Sequence, residues 1–435
     1  MRSPMRILVA TATAAVLVAG VSGCAAAKPA TATADKANLT MLTFQTSAVT
    51  PAFWNSNIKA TLKGLPGVTI KQIVNPSLDR DTYAKTLEAS GQFPDLQVSL
   101  TPSDYTAAGL LQAYPKSYLN ANFLFPDGQA DAKGNTYLPP VGGQALPWIY
   151  YNKAIFAKDG LTVPTTYSQL VSDIKKLKST DPSVTPIEYD GADAWAAEFP
   201  LTAILSADVM SKNPNWVRDR FKNKVKFTDS DVVAAVQKQE NLIKLGAYSP
   251  TALSTGLVDA DNDMIGGKAA MYMMGSWFSG SGYLTAAQAK GFGVFTWPTD
   301  SGKKVLPFSA SGSLSVSAKS KNAATAMKFA EAWSASPGPL KDLVTGDGDI
   351  PLLKKVSLKQ LGAPVYPLFT QGYNFVFDKS VQKVAPIGDA GGQDALPPAV
   401  NTAFSSMAQA LFTNSDVKGQ LANLDNVWNT SAATQ

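Results

Sequence analysis

From residue 39 onward, short apolar runs rich in Leu, Val, Ile and Met alternate with longer stretches whose apolar residues recur at helical spacing. A run at 39–44 predicts a strand, and Thr50-Pro51 opens a helix reaching to about Gly64. Residues 68–74 predict a second strand, 81–90 a second helix stopped by Gly91, and 93–100 a third strand led in by Pro94-Asp95. Further on come an aromatic strand at 147–153, a helix at 167–178, a strand at 186–189 and a helix from about Ala196. Thr228, with Asp231 three residues later, predicts the cap of a long helix that ends at Leu245 before Gly246. Buried strands are predicted at 269–274, 292–297 and 314–317. The helix at 323–334 spaces Ala326, Met327, Phe329, Ala330 and Trp333 along one face, and helices at 398–412 and 416–428 close the chain. No internal repeat is present. Strand–helix alternation predicts an α/β protein of two lobes, each a mainly parallel sheet flanked by helices.

Composition narrows the chemistry. The 435 residues are 45% hydrophobic and 16% charged, which is globular and long enough for two or three domain-sized units. The formal net charge of +5 is spread along the chain, so no nucleic-acid surface is indicated. There is no histidine, which removes Ser-His-Asp and Cys-His catalysis and the commonest transition-metal ligand. No P-loop pattern occurs. Asp259-Ala260-Asp261-Asn262-Asp263 has alternate acids like a calcium loop, but Met264 and Ala270 stand where that loop needs Gly and a bidentate Glu. It is read as a solvated lead-in to a helix, and Asp347-Gly348-Asp349 as a turn. No cofactor and no metal are expected.

The N-terminus carries an address. Arg2 and Arg6 precede an apolar stretch at 7–21, and Val21-Ser22-Gly23-Cys24 reads as a lipobox ending in the single cysteine. The stretch is short for a membrane span. Residues 1–23 are therefore expected to be a removed lipoprotein signal peptide, with Cys24 acylated and 24–38 a flexible tether; an ordinary signal peptide with a chance cysteine is the alternative. The expected location is outside the cytoplasmic membrane, anchored by that lipid.

Five segments in order resemble one family. They are Ala89-Ser90-Gly91-Gln92-Phe93-Pro94-Asp95-Leu96, Tyr150-Tyr151-Asn152-Lys153 with Pro164 to Leu170, and Met264 to Met271 with Gly275-Ser276-Trp277. Ser311 to Ser317, leading into the helix after Asn322, and Gly348-Asp349-Ile350-Pro351 complete the set. Together they resemble the extracellular carbohydrate-binding receptors of ABC importers, the family that includes maltose-binding protein. The resemblance implies two lobes joined by hinge strands that close on a solute: residues 39–149 plus 306–340, and 150–305 plus 341–435. It places crossings at Tyr150–Asn152, at Lys304–Leu306 and near 337–345. It further implies a small-molecule solute (a carbohydrate), membrane permease subunits as partners, a monomer and no catalytic residues.

Sugars are held by flat aromatics against their C–H faces and by polar side chains at their hydroxyls. The candidates are as follows, Gln45, Asp104 and Tyr105 among them at C-terminal ends of expected strands. Trp277, which matches a stacking position of the family, and its neighbour Ser276 follow the strand at 269–274, and Trp195 lies in a loop before a helix. Of Phe53 and Trp54, one is expected to face the cleft and the other to pack inward. Gln45, Asp104 and Tyr105 follow strands of the first lobe, although Asp104 also suits a helix cap. Ser309, Ser311 and Gly312 lie beside the second crossing, and Gln393 and Asp394 in a glycine-rich loop. The competing readings are a sensor or adhesin lipoprotein of the same fold, a receptor for a polyol or polyamine, and a two-carboxylate glycosidase.

Overall fold

The computed structural model describes residues 36–46, 48–77 and 79–432. Cys24, the leader and most of the tether lie outside them. Twelve strands are formed among the described residues: β1 (Ala37–Thr43), β2 (Val68–Val74), β3 (Leu96–Val98), β4 (Pro140–Ala145), β5 (Trp148–Asn152), β6 (Thr185–Glu188), β7 (Ala269–Met274), β8 (Phe292–Phe295), β9 (Val305–Gly312), β10 (Leu314–Val316), β11 (Ile350–Pro351) and β12 (Gln382–Val384). They make three four-stranded sheets, ordered β10-β3-β1-β2, β6-β7-β5-β8 and β11-β4-β9-β12.

The first sheet is built on β1, which pairs in parallel with β2 from Ala37–Val68 to Thr43–Val74 and with β3 on its other edge. Leu39, Met41 and Leu42 on β1 are fully buried, so both faces are covered. One face packs on the helices Pro51–Leu62 and Ala323–Ser334 through Ile58, Phe329 and Trp333. The other meets Ala84 and Leu87 of the helix Arg80–Ala89. Thr50 caps the first helix by accepting from Phe53 N at 3.3 Å, with Pro51 at its first position. β3 is shorter than expected. Asp95 uses its carboxylate to take Thr40 N and Oγ1 at 2.7 and 2.8 Å, and Ser99 turns into the left-handed region at φ 48°.

The second sheet corrects the expectation of mainly parallel pairing. Only β6 and β7 pair in parallel, whereas β5 is antiparallel to both β7 and β8. The strands β6, β7 and β8 share one direction, and β5, which brings the chain in from the first sheet, runs against them. The first sheet has the same plan, with β10 reversed against β3. In each lobe the odd strand is the one delivered by a crossing, since it enters without a crossover helix to turn it around. All six residues of β7 are buried, with Met271 and Met273 facing one core and Tyr272 and Met274 the other.

The third sheet carries the crossings. β4 and β9 pair antiparallel from Pro140–Gly312 to Ala145–Phe308, with an irregularity between Pro140 and Gly142. β4 runs through a cis Leu146–Pro147 bond into β5, and β9 runs on into β10. Tyr150–Asn152 is therefore inside the second sheet, and the crossing lies just before Trp148. The third expected crossing falls on a helix, Pro337–Asp347, after which β11 runs beside β4 at Gly142 and Gly143.

The long helix spans Ser230–Leu245 and ends at Gly246 (φ 70°). Its start corrects the sequence reading. Thr228 is not the cap, because its amide and hydroxyl both donate to Asp425 of the C-terminal helix, at 3.1 and 2.8 Å. Asp259–Asp263 falls within the helix Leu257–Ile265. Asp261 turns inward rather than into solvent, and burial lifts its carboxyl to about 7.

Candidate functional site

The C-terminal ends of the parallel strands are the place to look in an α/β sheet. In the second lobe, β7 leads through Gly275 and Ser276 to Trp277, whose ring folds back so closely that a Cβ on Gly275 would lie 2.2 Å from it. Only glycine permits that fold. β6 leads to Trp195 on the short helix Ala194–Ala197, and Phe199 opens the next helix. The three rings meet. Trp277 lies 5.8 Å from Trp195 and 5.9 Å from Phe199, and Trp195 and Phe199 are 5.8 Å apart. Both tryptophans are half-buried and Phe199 is fully buried, so the trio is an apolar platform with two accessible rings. The sequence named both tryptophans but not Phe199.

The loop after Trp277 is tied to the C-terminus of the helix Pro337–Asp347. Ser281 N and Gly282 N donate to the carbonyls of Thr345 and Gly346 at 2.8 and 2.9 Å. A Cβ on Gly348 (φ 58°) would lie 2.2 Å from the Ser276 carbonyl, so only glycine lets this turn come so near. Ser276 is consequently sealed at 0% exposure, which removes its hydroxyl from any solute.

In the first lobe β1 ends at a half-buried Phe44 and an exposed Gln45. The expectation for Phe53 and Trp54 is corrected: both are core. Trp54 stacks on Trp333 at 5.8 Å and donates its indole N–H to the Phe44 carbonyl at 2.6 Å, while Phe53 packs edge-on to both tryptophans. Two adjacent helical residues bury together here because the helix is wedged between the sheet and the helix Ala323–Ser334. Tyr105 is also core, 1% exposed, with its hydroxyl on the Asp81 carbonyl. Asp104 sits in the helix Ser103–Thr106; its side chain is outside the described atoms.

Beside Phe44 lies a group that sequence reasoning missed. The Arg80 guanidinium rests 4.4 Å over the Phe44 ring, and its Nε donates to the Ser99 carbonyl at 3.4 Å. Tyr283 donates to Asp347 Oδ1 at 3.3 Å. Burial lifts the Asp347 carboxyl to about 7, against the opposing pull of Arg80. Asp349, 4% exposed, is lifted by burial and by Asp347, with Ser311 Oγ 3.4 Å away. Arg80 was hidden by opening a helix, and the two aspartates by looking like a turn. The one signal was a lone arginine between Asp79 and Asp81.

The remaining candidates fall outside this group. Ser309 is half-buried on β9, and Gly312, where a Cβ would meet Leu138 at 2.7 Å, accepts at its carbonyl from Ser99 Oγ at 3.2 Å. Gln393 is exposed. Asp394 is paired with Arg218, which holds both its oxygens at 2.9 and 2.7 Å. Nearby, Glu198 is buried against Asp389 with no cation, and Ser405 donates to it at 2.6 Å. Burial pushes Glu198 well up and Asp389 to about 7. Among the described residues no group of three Asp, Glu, His or Cys is arranged to hold a metal ion. No described helix is long and apolar enough to cross a membrane.

An aromatic platform at the strand ends of one sheet and buried polar groups near those of another make a candidate small-molecule site. The chain belongs to the bacterial extracellular solute-binding proteins, whose family model matches residues 45–338. It is a binding protein, not an enzyme. It is 26% identical over 213 residues to a probable sugar-binding periplasmic protein of Mesorhizobium japonicum, a match covering 46% of this chain and 48% of that one. The match thus spans about half of that relative's length. It is 24% identical over 316 residues to a multiple sugar-binding protein of Streptococcus mutans, covering 70% and 72%. The fold is similar to that of a solved chitin oligosaccharide binding protein, with a TM-score of 0.77 at 21% identity over 92% of this chain and 100% of the other.

Proposed function

We propose that this chain captures a sugar or oligosaccharide between its lobes and delivers it to an ABC permease, working as a monomer anchored outside the cytoplasmic membrane by a lipid on Cys24. The lobes in this reading are residues 39–149 plus 306–340 and residues 150–305 plus 341–435. The carrying observation is the platform of Trp277, Trp195 and Phe199 at the strand ends of the second lobe. A pyranose presents an apolar C–H face and a rim of hydroxyls; the rings take the face, and polar groups of the first lobe take the rim. Closure follows from differential affinity, because only the closed state lets the solute touch both sides at once. The names of the two sequence relatives support a sugar over another solute.

A thermal-shift screen against mono-, di- and oligosaccharides, polyols and amines tests this. A ligand that binds only the folded state raises the melting temperature. The expected result is a shift with one class of glycan, lost in Trp277→Ala. A shift with an amine or polyol alone would overturn the sugar assignment. Silence across the panel would favour the sensor or adhesin reading.

A further inference from the structure

Positive charge that is scattered in sequence is gathered in space along the edge of the crossing sheet. β12 pairs in parallel with the start of β9, Gln382 beside Val305 and Lys383 beside Leu306. Gln382 N donates to the Lys304 carbonyl at 3.0 Å. The pairing brings Lys303 and Lys304 next to Lys379 and Lys383, which belong to a segment far along the chain. Lys383 Nζ donates to the Asp378 carbonyl at 2.8 Å, closing the turn before the strand. All four lysines are exposed, and none forms an ion pair with a described residue. Two acids lie on the same segments. Asp378 spends its Oδ1 on Ser380 N and Oγ, both at 2.8 Å, and Asp300 is held by Lys238 at 2.8 Å.

An apolar tip stands among these lysines. The helix Pro367–Phe377 carries Phe369, Tyr373 and Phe377 at successive fourth positions, so they line one face. The row starts in the core, where Phe369 is 1% exposed and lies 6.5 Å from Trp148. Tyr373 lies 6.0 Å from Phe369 and 4.7 Å from Phe377, which is 45% exposed. The outermost ring is thus backed by a row rooted in the interior. Lys304 Nζ lies 6.0 Å over the neighbouring Phe375 ring, and Asp378 and Lys379 follow Phe377 directly. Phe221, also exposed, shows the contrast. It packs on Trp428 at 4.7 Å, and two cations of its segment are paired, Arg218 with Asp394 and Lys224 with Asp219 at 3.5 Å.

We propose that Phe377, with Lys303, Lys304, Lys379 and Lys383 around it, docks on a phospholipid surface bearing anionic headgroups. The exposed ring enters the boundary between headgroups and acyl chains, while the lysines keep their ammonium groups at the phosphates. A soluble polyanion would engage the lysines and leave Phe377 in water. The docking does not depend on the sugar reading. On the proposed anchoring by Cys24, the tether holds the patch near the membrane, so a weak surface affinity suffices to orient the body.

Cosedimentation of the full chain with vesicles of phosphatidylglycerol and of phosphatidylcholine tests the proposal, the N-terminal segment being the same in every variant. Binding to phosphatidylglycerol is expected to exceed binding to phosphatidylcholine and to weaken as salt rises from about 0.1 to 0.5 M. Lys303→Glu, Lys304→Glu and Lys379→Glu together are expected to weaken it at least about 30-fold, whereas arginine at the same three positions keeps it. Phe377→Ser is expected to weaken it about 10-fold. Melting temperatures of these exposed-site variants should match that of the unmodified chain, which separates lost docking from lost folding. Equal binding of the unmodified chain to both lipids, or unchanged binding in the triple glutamate variant, would overturn the proposal. A loss with the lysines and none with Phe377→Ser would overturn the lipid as occupant, in favour of a soluble acidic partner.

Discussion

The two lobes present opposite chemistry from equivalent places. At the strand ends of the first lobe, Phe44, Arg80 and Ser99 are locked by hydrogen bonds and ring contacts into a polar surface. At those of the second, the rings of Trp277, Trp195 and Phe199 lie 5.8 to 5.9 Å apart, Trp195 edge-on to Phe199 and both tilted against Trp277. The first surface can discriminate, because a hydroxyl displaced by an ångström loses its hydrogen bond. The second can hold, because apolar contact is non-directional and tolerates many sugars. On the proposed function, specificity would rest with the first surface and adhesion with the second.

The largest expected effect breaks the scaffold. Trp54→Ala removes a buried ring that stacks on Trp333 and anchors Phe44, and it should cost about 3–5 kcal/mol of stability in denaturant unfolding. Trp277→Ala should do the reverse, lowering sugar affinity by about 2–3 kcal/mol in calorimetry with a smaller change in stability. If the half-buried Trp277 proves as costly to stability as Trp54, the platform is core and the comparison fails.

Charge supplies a subtler contrast. Glu188, Asp190 and Asp389 have carboxyls raised by burial to about 7, 8 and 7, and Glu198 is raised as well. Their folded-state values exceed those of the unfolded chain, so the folded state binds more protons between about pH 4 and pH 8. Stability should therefore be full below that window and fall as pH rises through it. Melting temperatures from pH 5 to 8.5 should decline, and Glu198→Gln should flatten the curve by removing one of the groups that titrate in it. The smallest effect belongs to the Arg218–Asp394 pair. Asp394→Asn opens a partly exposed ion pair and should cost about 1 kcal/mol or less of stability, leaving sugar affinity unchanged.

Legibility in the sequence followed the same division. The apolar run of β1, the fully buried β7 and the helix Ala323–Ser334 could be read from their patterns. β4 and β9 could not: their residues, PVGGQA and VLPFSASG, have neither alternation nor a continuous apolar run, and they are strands because they pair with each other across a long sequence gap. In the site, Trp277 and Trp195 were legible because large rings after glycine or in a polar loop have few core roles. Phe53 and Trp54 were misread because burial on that helix is set by a helix arriving nearly 300 residues later. Arg80, Tyr283 and Asp347 come from segments far apart in sequence, and no spacing connects them.

Tryptophan emission, followed as sugars are titrated into the full chain, tests the central claim most directly. A saturable change with one class of glycan is expected, persisting in Trp428→Phe and disappearing in Trp277→Ala. A glycan response that survives Trp277→Ala unchanged, or no response to any glycan, would contradict it.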